Sequence, residues 1–176
     1  MTLSPVIVWL ARGLALAGGL VLVAITLITV VSITGRSLNT FGMGPVPGDF
    51  ELVEAGTGFA VFAFLPWCQL MRGHAAVDLF TGLFPSVVNR VIDLVSEALM
   101  TFVIVIIAWR LWAGTIDKLN YGETTFILQF PVWWAYAASL VAAIGAVIVS
   151  FYMLFVRFRE VASGQTIVEP GQGGMH

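Results

Sequence analysis

Charged positions along this chain are sparse, and the intervals between them set its expected elements. Gly13 to Gly35 is a run of 23 residues without a charge, bounded by Arg12 and Arg36. A helix rises about 1.5 Å per residue, so about 20 mostly apolar positions cross a hydrocarbon core of roughly 30 Å. That run is span one, residues 13–35. Ala55 to Met71 adds 17 residues between Glu54 and Arg72, and extending it back to Leu52 makes span two, 52–71. Ala98 to Trp109 is short alone; Val91, Ile92, Leu94 and Val95 before it and Trp112 after it give span three, 91–112, which carries Asp93 and Glu97. Pro131 to Val156 is 26 residues long and ends at Arg157, enough to cross with some tilt as span four, 131–156. The chain is therefore expected to be all-α: four transmembrane helices in one membrane domain, residues 1–162. Span one is longer than the roughly 7–15-residue core of a signal peptide and lacks an A-x-A cleavage site, so it is read as a membrane helix.

Lys and Arg near the span ends orient the four helices. With the N-terminus inside, Arg12, Arg72, Arg90, Arg157 and Arg159 are cytoplasmic, and Arg36, Arg110 and Lys118 are outside. Both termini are then cytoplasmic. Trp109 and Trp112 close span three where Trp133, Trp134 and Tyr136 open span four, so all five are expected as anchors at one interface. Asn39 to Gly48 is dense in Gly and Pro and reads as an irregular outer loop, ahead of a helix start whose acids, Asp49 and Glu51, suit a helix N-terminus. Between spans two and three, His74 to Asn89 holds Asp78, an apolar patch and Pro85, and is expected along the inner interface. The Gly-rich tail 163–176 is expected to be disordered.

An ionisable group at membrane depth is costly, so its face tells where protein must lie. Glu51, Glu54, Gly58, Val61, Leu65, Gln69 and Arg72 recur at helical steps of three or four in span two; Arg90, Asp93, Glu97 and Thr101 do so in span three. With spans two and three as antiparallel neighbours, Gln69 and Arg72 are expected to meet Asp93 and Glu97. One reading makes Asp93 and Glu97 a proton or cation site, since paired carboxylates share a proton. The other makes them structural acids held by Arg72, Arg90 or a second subunit. Their place within about two turns of the span end favours the second. Span four repeats small residues at Ala138, Ala142, Ala146 and Ser150, a face that lets another helix approach.

Composition narrows the function classes. Apolar residues make up 59% of the chain and charged ones 10%, too few for a water-facing surface. Mean hydropathy is +0.98. A net charge of −2 offers no basic field for nucleic acid. The single cysteine, Cys68, closes no internal disulfide, and two histidines, His74 and His176, do not make the facing pairs of a haem bundle. Phosphate-loop, dinucleotide-binding and nucleophile-elbow patterns are missing. No enzyme, cofactor or metal site is expected.

The polar landmarks, taken in order, resemble those of a known family. Arg36 closes span one and Glu51 opens span two; Arg72-Gly73-His74-Ala75-Ala76-Val77-Asp78 follows; Thr124-Thr125-x-x-Leu128-x-x-Pro131-x-Trp133 leads into span four. Over about residues 10–158 the chain resembles the small membrane subunit, DctQ-like, of tripartite ATP-independent periplasmic (TRAP) transporters. It departs at Phe50, where many relatives carry a second acid. The resemblance implies a bacterial inner-membrane protein that binds a large permease subunit. A periplasmic binding protein would dock and deliver an organic acid, and a sodium gradient would drive uptake through the large subunit. Arg36, Glu51, Glu54, Arg72, His74, Asp78, Asp93 and Glu97 would then be interface or structural polar groups, with membrane lipids as further contacts. The alternative is a self-sufficient small four-helix ion-coupled transporter. Such proteins carry a mid-membrane carboxylate in span one, where this chain has only Thr26, Thr29, Ser32 and Thr34 as polar groups.

Overall fold

A computed structural model describes residues 4–71 and 86–163. Arg72, His74, Asp78, the Arg90 side chain, most of the inner loop and the tail, all named above, lie outside the described residues. Among the described residues, four helices, each long and apolar enough to cross a membrane, make up the fold: α1 Pro5–Ser37, α2 Asp49–Leu70, α3 Ser86–Tyr121 and α4 Trp133–Ser163. Among the described residues the only extended pairing is one isolated bridge, Thr124 to Pro131.

The helices run past the predicted spans. α1 starts at Pro5 rather than Gly13, since proline suits a first helical position and Arg12 does not stop a helix. α3 continues beyond Trp112 to Tyr121. At about 1.5 Å per residue, its 36 residues reach about 54 Å, far more than a hydrocarbon core needs. Charges mark where an apolar run ends; the backbone hydrogen bonds of a helix carry on regardless.

Spans two and three were expected side by side, and the structure separates them. α4 stands between them: it packs against both α2 and α3, while α1 packs along α2 and also touches α4. α4 is the inner member: 56% of its most apolar stretch is buried, against 6% for α1. Its small residues explain the position. Ala142, Ala143, Gly145, Ala146 and Ser150 are buried, which lets neighbours approach on two sides. Ala138 is exposed and does not join this face. Steps of four advance about 40° beyond a full turn, so Ala138 lies about 120° round the helix from Ser150.

Close approaches fix the registers. On the α1–α2 seam, Gly18 lies against Ala63 and the Ala60 carbonyl, and Gly56 lies against Val21 and Ile25. Along the parallel α2–α4 seam, Gly58 is level with Ser139 and Gln69 with Ser150. Along the antiparallel α3–α4 seam, Gly114 is level with Tyr136, and Asp93 with Arg157. Where α1, α2 and α4 meet, Ala11, Leu70, Val149 and Met153 form a buried apolar cluster beneath Trp67 and Tyr152. The Ser4 amide donates to the Tyr152 hydroxyl at 2.9 Å, tying the start of α1 to the last helix. Both ends of the described chain therefore share one end of the molecule, here the terminal end; residues 38–48 and 122–132 form the loop end.

Candidate functional site

Span one's hydroxyls need no neighbour. Thr26, Thr29 and Thr34 donate to the carbonyls of Leu22, Ile25 and Val30 four residues back, at 2.7–2.8 Å. Ser32 alone is buried and turned inward: it donates to Asp49 and accepts from the Val46 amide at 3.2 Å. Asp49 also accepts from the Phe50 amide, and Arg36 stands 3.7 Å from its carboxylate and 6.0 Å from the Phe50 ring. This knot pins loop 38–48 across the end of α1. The loop turns through Gly42 and Gly48, both at positive φ, and the Leu128 side chain occupies the space a Cβ on Gly48 would need.

Glu51 clamps the second loop. Its two carboxylate oxygens accept from the consecutive amides of Ile127 and Leu128, at 2.6 and 2.9 Å. The loop is wired further by Lys118 to Glu123, Thr125 amide to Phe130 carbonyl at 2.9 Å, and Val132 amide to Glu123 carbonyl at 3.0 Å. Gln129 sits at φ +55°, and its side-chain amide donates to the Phe126 carbonyl at 2.8 Å. The Thr-Thr-x-x-Leu-x-x-Pro-x-Trp segment is thus a rigid turn held down by the first turn of α2.

Between that turn and α2, α3 and α4 lies a cavity of about 610 Å³, open on one side. Glu51 and Glu54 stand at its mouth, Phe62 lies deeper, and Ala135, Tyr136 and Ser139 of α4 form its floor. It exists because α4 separates α2 from α3.

The same gap is closed at the terminal end by a polar brace. Gln69, buried, uses both ends of its amide: its nitrogen donates to Glu97 on α3 and its oxygen accepts from the Ser150 hydroxyl on α4. Thr101 reaches the Ser150 carbonyl at 3.5 Å. One turn on, Arg157 donates to Asp93 at 2.8 Å and to Glu160 at 3.2 Å, with Glu160 only 3% exposed. Arg157 Nε is buried without a hydrogen-bond partner.

The structure thus brings Gln69 to Glu97 beside α4's small face and gives Asp93 a partner on α4, Arg157; the expected contacts of Arg72 and Arg90 lie outside the described residues. Arg157 and Glu160 are not legible as brace residues from the sequence, where Arg157 reads as the end of span four and a cytoplasmic orienting charge. The one signal is spacing: Ser150, Met153, Arg157 and Glu160 follow one another at steps of three and four. The aromatic anchors spread more than expected. With Gly114 level with Tyr136, Trp109 lies about eight residues, or about 12 Å, deeper than Trp133. Trp133 and Trp134 pack edge to face, and Trp109, Trp112 and Trp134 are more than half exposed.

A family model described as Tripartite ATP-independent periplasmic transporters, DctQ component, matches residues 25–160. No curated protein and no solved structure matches the chain.

Proposed function

This chain belongs to the DctQ component family of tripartite ATP-independent periplasmic transporters, and from that premise we propose that it is the scaffold subunit of a sodium-driven importer, docked on a large permease subunit. Arg12, Arg157 and Arg159 at the terminal end support a cytoplasmic placement of both termini in a bacterial inner membrane. The loop end would then face the periplasmic binding protein that delivers an organic acid.

The observation that carries the proposal is the polar cross-brace around α4. Polar side chains tie α2, α3 and α4 together through Gln69, Glu97, Ser150 and Arg157, while α1 turns Val6, Trp9, Leu16, Leu20, Val23 and Leu27 outward. A bundle of this kind has broad apolar flanks for another membrane protein or lipid, and its internal charges serve to hold its own helices. Rigid-body transport needs such a fixed frame against which a second unit moves. Glu51 and Arg36 shape the loop end of that frame; Asp93, Glu97, Arg157 and Glu160 stiffen the other.

Co-expression tests it. Tagged chain purified with its large permease partner is expected to give one stable complex, and uptake in proteoliposomes is expected only when both are present. Uptake by this chain alone would overturn the proposal.

A further inference from the structure

The open cavity at the loop end has no role in bracing the helices, and its chemistry is graded with depth. Glu54, on α2, makes no hydrogen bond or ion pair among the described residues, yet it stands at the mouth beside the clamped Glu51. Phe126, Phe130 and Tyr136 line the same cavity. Phe62 lies eight residues further along α2, about 12 Å deeper, which nearly matches one leaflet of a hydrocarbon core of roughly 30 Å. Carboxylate plus aromatic rings is the chemistry that recognises an ammonium group. Two carboxylates at the mouth repel a headgroup whose only charge is negative. The volume of about 610 Å³ lies within the range of about 300–1,000 Å³ usual for small-molecule sites.

We propose that this crevice seats one ethanolamine phospholipid, with its ammonium on Glu54 among the aromatic rings and an acyl chain running down past Gly58 to Phe62. The lipid fills the gap left where α4 holds α2 away from α3. It takes at the loop end the place that Gln69 and Glu97 take at the other. The inference stands on the crevice alone and does not depend on the partner subunit.

The test is native mass spectrometry of the full chain released from nanodiscs holding equal amounts of ethanolamine and glycerol phospholipids. One bound lipid per chain is expected, with ethanolamine favoured about tenfold, the ratio that an ion pair and a cation–π contact of ordinary strength give. Glu54→Gln should remove that preference while the chain keeps its helical content. Gly58→Leu should empty the site, since a Cβ there meets only Ser139 Oγ at 3.7 Å and the rest of the side chain enters the crevice. Equal retention of both lipids, or an undiminished preference in Glu54→Gln, overturns the proposal. So does a cross-link from Gly58→Cys to another polypeptide in place of lipid. The wild-type preference needs no variant, so a variant that fails to fold leaves the test standing.

Discussion

The two ends of the helix bundle solve one problem in different ways. α2 and α3 are held apart by α4, and the gap must be bridged. At the terminal end the bridge is side chain to side chain: Gln69 to Glu97 and Ser150, and Arg157 to Asp93 and Glu160. At the loop end carboxylates hold backbone instead, with Glu51 on two loop amides and Asp49 within a knot that includes Ser32. The first kind of bond couples helices and is buried or partly buried. The second shapes loops, and leaves the space between the helices open.

Breaking the terminal brace should therefore cost most. Arg157→Ala removes the cation that Asp93 and Glu160 share, an expected loss of about 1.5–3 kcal/mol. Thermal unfolding in detergent should show a large fall, and wild-type stability would separate Arg157 from the brace. Ala146→Leu forces three extra carbon atoms into a fully buried seam of α4 and should cost about 1–3 kcal/mol, read the same way. At the loop end, Glu51→Gln removes the charge on which Ile127 and Leu128 are held. The expected result is faster hydrogen exchange at those two amides and easier proteolysis of residues 122–132, with the helix brace intact. Unchanged exchange would end the clamp account. Thr26→Val should do least, within about 0.5 kcal/mol, because that hydroxyl bonds its own helix and faces outward.

Much of this was legible in the chain because helical periodicity and charge are local signals. Uncharged runs located all four spans, and stripes of polar residues brought Gln69 and Glu97 together. Helix ends were not legible: Arg12 and Arg110 sit inside helices that continue through them. Neither was the arrangement of the helices, because which helix stands in the middle depends on how well small faces fit, and Ala138 belonged to the repeat without belonging to the face. Arg157 reads as a boundary charge, although it shares a helical stripe with Ser150 and Glu160. The clamp of Glu51 on Ile127 and Leu128 joins residues more than seventy positions apart through backbone amides, which leave no residue-type signature.

Under the proposed scaffold role, the acids of this chain hold a frame and do not couple ions. Glu97→Gln, co-expressed with the large permease and reconstituted, tests it most directly by reading sodium-driven uptake per assembled complex. The expected result is a lower yield of complex with uptake per complex and its sodium dependence unchanged. Full yield with sodium dependence lost would contradict the account.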